Sequence, residues 1–96
     1  MDFEWDPKKA AGNISRHGVS FDEAKELFLT GAPFLEIYDE EGSYDEDRFI
    51  AVGEIRRGIV VVVWIERYEN THRIISARWA TKNETTMYVE FMRAMT

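Results

Sequence analysis

The sequence contains no cysteine and only two histidines, His17 and His72, among its 96 residues. Without cysteine the chain can form no disulfide bond, no thiolate zinc site and no cysteine nucleophile. The two histidines do not lie in a metal-binding spacing such as HExxH, and neither a glycine-rich phosphate loop nor a GxSxG nucleophile elbow is present. We therefore expect no bound metal and no cofactor, and a fold that is stabilised by packing alone.

Long apolar runs are also missing. No stretch reaches the roughly 18 apolar residues that a membrane-spanning helix requires, and the first residues lack the basic flank of a signal peptide. These absences predict a cytoplasmic protein with no membrane partner. A chain of 96 residues with 45% hydrophobic content is expected to form one domain over residues 1–96.

Positive charge is scarce, since the formal net charge is −6. Affinity for nucleic acid comes largely from clustered lysine and arginine, so this balance argues against a broad nucleic-acid surface. The charge is unevenly distributed, however: residues 1–55 carry 14 acidic and 5 basic side chains, whereas residues 56–96 carry 4 acidic and 7 basic ones. Any phosphate-binding surface must therefore come mainly from the C-terminal part.

The first helix is predicted over residues 7–17. Asp6 is a favourable N-cap and Pro7 a favourable first helical residue, while Gly18 follows two cations, as is typical after a helix C-terminus. The preceding segment, Phe3–Trp5, alternates apolar and polar side chains, which fits either a short strand or an apolar anchor.

Two capping boxes predict the starts of two further helices. Ser20 with Glu23 begins a second N-terminal helix, which we expect to end at Gly31. Thr81 with Glu84 begins a C-terminal helix that carries methionine and aromatic side chains at helical spacing. Packing against the core is the preferred interpretation of that stripe.

The middle of the chain is predicted to form an antiparallel sheet. Strands are predicted at residues 34–38, 48–55, 59–68 and 72–78, and the polar segment 39–47, with six acids, is predicted to be an exposed loop. The run from Ile59 to Ile65 is apolar on both faces, so this strand should be central and covered on both sides. The two N-terminal helices can cover one face, and the C-terminal helix or a partner protein the other. The expected fold is α+β, with two N-terminal helices and a C-terminal helix packed on an antiparallel β-sheet of about four strands.

Several phosphate-binding residue types cluster in the C-terminal part. They are Arg56 and Arg57 at a hairpin tip, and Arg73, Arg78 and Lys82 around the last strand and its junction with the final helix. Ser76 and Arg78 share one side of the last strand. In a regular strand Arg73 and Arg78 would point to opposite faces, unless a β-bulge re-aims one of them. We expect Arg73 to pair with an acid such as Glu66 or Glu54.

Three blocks of the sequence lie at offsets that match a known family. They are Phe3–Pro7; Asn13 with Arg16–Ala24; and Arg73–Arg78 with Ala80, Glu84 and Tyr88. In these blocks the chain resembles the BrnT toxins, from Phe3 to about Phe91. The resemblance implies a RelE-like ribonuclease fold. It also implies a cognate DNA-binding antitoxin, BrnA-like, through which the toxin contacts DNA only indirectly.

The leading functional hypothesis, which follows from this resemblance, is a growth-inhibiting toxin of a type II toxin-antitoxin system that acts as a metal-independent endoribonuclease. The ribose 2′-hydroxyl of the RNA substrate would attack the adjacent phosphorus. The predicted catalytic residues are His17, Arg78, Lys82 and Glu84, and the predicted RNA-binding residues are Asn13, Arg56, Arg57, Arg73, Ser76 and Tyr88. Arg78 and Lys82 would stabilise the developing negative charge, and His17 or Glu84 would serve as base or acid. A positive pocket is expected where the last strand meets the final helix.

An alternative hypothesis is a catalytically weak or inactive toxin-like module that binds its antitoxin and co-regulates their operon. Active members of the family are expected to be basic at four positions that are occupied here by Trp79, Asn83, Thr85 and Thr86. The acidic N-terminal part would attract a basic antitoxin segment, either to the loop at residues 39–47 or to the second face of the central strand. A structural domain with no nucleic-acid role is the third and least favoured interpretation.

Overall fold

In the computed structural model, which describes residues 1–96, the chain forms a five-stranded mixed sheet with helices on both faces. In chain order the elements are β1 (Asp2–Glu4), α1 (Pro7–His17), α2 (Phe21–Ala24), α3 (Glu26–Leu29), β2 (Leu35–Tyr38), β3 (Arg48–Ile55), β4 (Gly58–Arg67), β5 (Thr71–Trp79) and α4 (Lys82–Ala94). The strand order is β1-β5-β4-β3-β2. None of the helices has the length and apolar character needed to cross a membrane.

The α+β class is confirmed, but the expected sheet of four antiparallel strands is wrong. The segment that fitted either a strand or an anchor forms β1, which lies parallel to β5. The other three pairs of neighbouring strands are antiparallel, as expected.

The bounds of α1 match the predicted ones because the signals that set them are local. The Asp6 side chain accepts a hydrogen bond from the backbone N–H of Lys8 at 2.9 Å, and Pro7 occupies the first helical position. Gly18 ends the helix in the left-handed conformation, with φ of 71°, and its N–H donates to the Ile14 carbonyl at 2.8 Å.

The second N-terminal helix is broken, which the sequence pattern did not predict. Its capping box is present, with the Glu23 N–H donating to the Ser20 hydroxyl at 3.0 Å. At Lys25 the backbone tightens, because the Phe28 N–H donates to the Lys25 carbonyl only three residues earlier. Two short helices, α2 and α3, result, and α3 ends before Gly31.

The sheet has two covered faces, and we name them by what covers them. The helices α1, α2 and α3 form a helical hairpin, and the face that they cover is named the hairpin face. It packs around a cluster of eleven buried side chains: Val19, Phe21, Ala24, Leu27, Ala51, Ile55, Val60, Val62, Trp64, Ile74 and Ala77. The α4 face packs under the C-terminal helix, where Tyr88 lies against Val52 and Val61. The prediction of a central strand covered on both sides is confirmed for β4.

A β-bulge in β5 changes which side chains share a face. Val63 pairs with Ser76, but the next residue, Trp64, pairs with Ile74, so Ile75 is an extra residue. The alternation therefore shifts by one position. Of the two possibilities that the sequence left open, the bulge is the one that forms.

Arg73 and Arg78 consequently both lie on the α4 face, opposite Ile65 and Val61 respectively. The expected partner of Arg73 is wrong: its Nη1 contacts Glu4 Oε2 at 2.7 Å, instead of Glu66 or Glu54. The reason is β1, which lies beside β5 and sets Glu4 directly opposite Arg73.

Candidate nucleic-acid interface

The strand register gives the molecule two ends of opposite charge. At one end, named the basic end, the β3–β4 turn at residues 56–57 lies beside the last residues of β5, since Val60 pairs with Trp79. The C-terminus of α1 and the N-terminus of α4 meet there as well. At the other end, named the acidic end, lie the six acids of the loop at residues 39–47 and the β4–β5 turn.

Arg57 holds three parts of the basic end together. Its Nε and Nη2 donate to the two carboxylate oxygens of Glu23 at 2.6 and 2.9 Å, and Nη2 also donates to the Gly18 carbonyl at 2.7 Å. The guanidinium lies over the ring of Trp79, 5.1 Å from its centroid. The hydrogen bonds from Arg57 and from the Ser20 backbone lower the pKa of Glu23 to about 2. The Arg57 charge is therefore already paired in the free protein.

Arg78 and Glu84 form a second two-pronged pair, between β5 and α4. Nη1 of Arg78 lies 2.7 Å from one carboxylate oxygen and Nη2 lies 2.8 Å from the other. The same carboxylate accepts a hydrogen bond from the Thr81 N–H at 2.9 Å, which completes the capping box of α4. Hydrogen bonding from Arg78, opposed by desolvation and supported by Thr81, lowers the pKa of Glu84 to about 2. Glu84 is thus an anion at neutral pH.

Three other predicted site residues at the basic end have free side chains. Arg56 and Lys82 are exposed and form no ion pair, and His17 is half-buried at the C-terminus of α1. Only the backbone N–H of Arg56 is engaged, by Glu26 at 3.1 Å. These side chains can contact a ligand without first giving up a partner.

Asn13 and Tyr88, both predicted to contact RNA, are buried. Asn13 is 1% exposed, and its amide group bonds the backbone of Val19 and Ala77. Tyr88 is 8% exposed, and burial raises the pKa of its hydroxyl. Both residues are therefore buried parts of the folded protein and are not available as surface contacts.

Ser76 and Arg73 lie on the same face as Arg78 but at different distances from it. Ser76 is two residues away along β5. Arg73 is five residues away, which at the usual rise per residue is roughly 15 Å, and it is paired with Glu4. Arg73 is therefore outside the group of side chains at the basic end.

The expected positive pocket between β5 and α4 does not form. The structure has two depressions: a groove of about 400 Å³ beside Leu27, Tyr88 and Met92, and a smaller one at the acidic end. Neither is lined by Arg78 or Lys82. The cations lie on an open surface because Arg78 bridges directly to the first turn of α4. No three histidine, aspartate or glutamate side chains are placed to share a metal ion.

Trp79 lies at the basic end, although no sequence pattern predicted it to be a site residue. Its ring is half-buried beneath Arg57 and lies 4.0 Å from the position a Gly18 side-chain carbon would occupy. The hairpin register, which pairs Val60 with Trp79, was the signal that could have placed it beside Arg57. Their positions in the sequence did not indicate this contact, because Arg57 and Trp79 are 22 residues apart.

The fold and the arrangement of the basic end define a small α+β protein that gathers basic side chains at one end of its sheet. The sequence matches, over residues 5–84, the family described as ribonuclease toxin, BrnT, of type II toxin-antitoxin system. The chain belongs to this family, as its resemblance indicated, and a toxin of a type II system has an antitoxin as its partner. No curated protein matches the sequence significantly.

A solved structure supports the fold assignment. The chain is similar to the crystal structure of the Brucella abortus ribonuclease toxin BrnT, determined at 1.1 Å resolution. The match has 24% sequence identity and a TM-score of 0.67, and it covers 85% of this chain and 99% of the Brucella chain. The two proteins share their fold.

Proposed function

We propose that this protein is a cytoplasmic endoribonuclease toxin that binds RNA across the basic end, cleaves it without a metal ion and thereby inhibits growth. The observation that carries the proposal is the register of the hairpin, which gathers cations at one end of a chain with a net charge of −6. These cations are Arg56, Arg57, Arg78 and Lys82, and His17 lies at the same end. Family membership supports the class of reaction.

In this proposal Arg56 and Lys82 contact the RNA phosphates, and Arg78 stabilises the pentacoordinate phosphorus. A guanidinium has five N–H donors, of which Arg78 directs two towards Glu84 and a third, more weakly at 3.4 Å, towards the Trp79 carbonyl. The others stay available, and the bridge to Glu84 holds the group in a fixed orientation. Donors that are oriented before the reaction begins stabilise developing charge most effectively.

Proton transfer is assigned to His17. The 2′-hydroxyl loses its proton to a base as its oxygen attacks phosphorus, and the departing 5′-oxygen gains a proton from an acid. Glu84 carries no proton at neutral pH, since its pKa is about 2, so it does not serve as the acid. Histidine is the side chain that most often transfers protons near neutral pH, so we assign His17 as the base that takes the 2′-hydroxyl proton, and water supplies the proton of the departing 5′-oxygen. Glu84 then acts through Arg78, as a positioning residue.

The RNA contacts extend from these cations over neighbouring groups of the same end. The half-buried indole of Trp79 offers an aromatic surface on which a base can stack. Ser76 lies two residues from Arg78 on the same face of β5, and Arg57 lies over the Trp79 ring. Asn13, Arg73 and Tyr88 are left out of the proposed contact surface because of their burial or distance.

The test is the substitution Arg78→Ala, with Arg67→Ala as the control. Arg67 is an exposed arginine at the acidic end that forms no ion pair. We expect Arg78→Ala to keep the circular dichroism spectrum of the parent and to lose about a hundredfold to a thousandfold in RNA cleavage, with loss of growth inhibition. Arg67→Ala should behave like the parent. Undiminished toxicity of folded Arg78→Ala would refute the assignment.

The same assay tests the chemistry. Cleavage should persist in EDTA, and an RNA with a single 2′-deoxyribose at the cleaved position should be resistant at that position. Loss of activity in EDTA would contradict metal independence, and cleavage at the deoxy position would contradict the 2′-hydroxyl mechanism.

A specific observation favours a second candidate, a catalytically weak module that binds its antitoxin and co-regulates their operon. Two of the basic side chains at the basic end, Arg57 and Arg78, are already neutralised by Glu23 and Glu84. Expression without the antitoxin separates the candidates: growth arrest with RNA decay supports the enzyme, whereas normal growth with abundant folded protein supports the module. In both cases the proposed antitoxin is a DNA-binding, BrnA-like protein.

A further inference from the structure

The smaller depression, at the acidic end, is lined by aromatic rings and carboxylates. It has a volume of about 140 Å³ and lies on the hairpin face, lined by Glu36, Phe49, Trp64, Glu66 and His72. The strand register builds it, since Phe49 lies opposite Trp64, and Glu66 opposite His72. The Trp64 and His72 rings are stacked within 5° of parallel, with centroids 5.4 Å apart. The result is a depression with aromatic walls, of which Trp64 is buried at 3% exposure, and with two exposed carboxylates at its edge.

Both carboxylates lack a partner. Glu36 and Glu66 are exposed and form neither an ion pair nor a side-chain hydrogen bond. The arginines at this end, Arg48 and Arg67, lie opposite Ile65 and Thr71 and therefore belong to the α4 face, on the other side of the sheet. The loop at residues 39–47 adds six further acids nearby. The depression thus lies in a strongly negative region.

The His72 ring does not supply a compensating cation. Burial is the main cause that lowers its pKa, although the charges of Glu66 and Glu36 act in the opposite direction and the α-amino group adds to the lowering. At neutral pH the ring is neutral, and its Nδ1 is buried without a hydrogen-bond partner. The aromatic part of the lining is therefore uncharged and the carboxylates of Glu36 and Glu66 are negative, while the α-amino group is the one positive charge that acts on His72.

A positively charged, planar group fits these walls best. Aromatic faces attract cations, and arginine combines stacking on a ring with paired hydrogen bonds to a carboxylate. A volume of about 140 Å³ is below the roughly 300 Å³ at which pockets for small-molecule ligands begin, so one side chain is a suitable occupant. A metal ion is a poorer fit, since Glu36, Glu66 and His72 are not placed to share one.

We propose that this depression receives the guanidinium of an arginine from the antitoxin. The chemistry of the walls is the argument for a guanidinium as the occupant. The assignment of that guanidinium to the antitoxin rests on the proposed function. The depression lies at the opposite end of the sheet from the RNA-binding residues. An antitoxin arm bound here anchors the complex without using any of those residues.

The test measures binding of a defined probe, the peptide acetyl-Gly-Arg-Gly-amide, to the full-length protein by NMR. We expect saturable shifts of the Trp64 indole and His72 ring signals, with a dissociation constant in the millimolar range. The same peptide with citrulline, which keeps the shape but not the charge, should bind at least tenfold more weakly. The double variant Glu36→Gln, Glu66→Gln should weaken binding of the arginine peptide about tenfold, and Glu90→Gln, an exposed acid on α4, should leave it unchanged.

Three results would overturn the proposal: equal binding of the citrulline peptide, equal binding of a lysine peptide, or arginine binding that persists in the double variant. RNA cleavage is measured in a separate assay. A negative result for arginine binding can therefore be distinguished from a negative result for the proposed nuclease activity. When the antitoxin is co-expressed, the double variant should release it at lower salt than the parent does. Release at the same salt as the parent would overturn the antitoxin as the bearer.

Discussion

Asn13 offers the sharpest test of how this fold is stabilised. Beside β5, strand β1 pairs only with residues 71–73, so the edge of β5 beyond them has no neighbouring strand. The Asn13 amide takes that place at Ala77, donating to its carbonyl at 2.7 Å and accepting from its N–H at 3.2 Å. The same amide nitrogen donates to the Val19 carbonyl at 3.0 Å. One side chain thereby joins α1, the turn after it and the sheet.

The cost of removing this amide follows from its burial. In Asn13→Ala three hydrogen bonds are lost and three backbone groups are left without partners in a site that is 1% exposed. At about 1 kcal/mol for each bond, the free energy of unfolding should fall by about 3 kcal/mol. For a domain of this size the melting temperature should then fall by about 12–24 °C. Asn13→Asp should cost more at neutral pH, because a buried carboxylate cannot donate to either carbonyl.

The assay is urea and thermal unfolding followed by circular dichroism, with Ser15→Ala as the control. Ser15 is exposed on the same helix and makes no side-chain hydrogen bond, so its substitution should stay within about 0.5 kcal/mol of the parent. If Asn13→Ala also stayed within that margin, the reasoning would be refuted. If such a stable variant lost RNA binding, the earlier expectation that Asn13 contacts RNA would be supported instead.

Two further predictions concern other close contacts. In Gly53→Ala the new side-chain carbon would overlap Leu27 and come within 2.9 Å of Phe34 Cβ. We therefore expect the free energy of unfolding, measured in urea, to fall by about 1–3 kcal/mol. An unchanged urea midpoint would contradict the packing of α3 on β3. The second concerns pH. The pKa of Glu84 is lowered from 4.5 to about 2 by Arg78, so its pairing stabilises the folded state fully above about pH 4.5 and is lost as the pH falls towards 2. The parent should therefore be more stable than Glu84→Gln at pH 7, and the difference should shrink by pH 2.5; a constant difference would contradict the ion pair.

Helix starts and strand bounds could be predicted from the sequence because their causes are local. A capping box joins residues three apart, and the boxes at Ser20 and Thr81 both form. The predicted strand over residues 48–55 matches β3, and the bounds of β2, β4 and β5 differ from the predicted ones by at most one residue. Alternation and turn residues contain this information without reference to distant parts of the chain.

The features that the sequence could not predict join residues far apart. Asn13 reaches Ala77 across 64 positions, and Arg57 reaches Glu23 across 34. Neither periodicity nor spacing indicates which strand pairs with the edge of a sheet. The parallel pairing of β1 with β5, and with it the contact between Arg73 and Glu4, could therefore not be predicted from local sequence patterns. The bulge at Ile75 belongs to the same class, because it is defined by the register of two strands.

For the candidate site, the basic residue types were identified, but their state of pairing was not. Arg57 was predicted to bind RNA and Arg78 to stabilise developing charge, with no partner foreseen, whereas each is held by a glutamate. Glu84 was selected as a possible acid, and its pairing makes it an anion. The partner of a surface cation depends on the tertiary arrangement, which residue type alone does not specify.

The net charge of the chain is a weak guide to its affinity for RNA, because the acids are far from the proposed contact surface. Strand β4 runs from one end of the sheet to the other over ten residues, which corresponds to about 30 Å. At physiological ionic strength the screening length is about 8 Å, so the exposed acids of the loop at residues 39–47 contribute little to the potential at Arg56 and Lys82. The local balance decides instead: there Glu23 and Glu84 are each matched by one arginine, Glu26 lies at the backbone of Arg56, and the side chains of Arg16, Arg56 and Lys82 form no ion pair. A phosphate arriving at the basic end therefore meets an excess of positive charge, although the whole molecule is an anion.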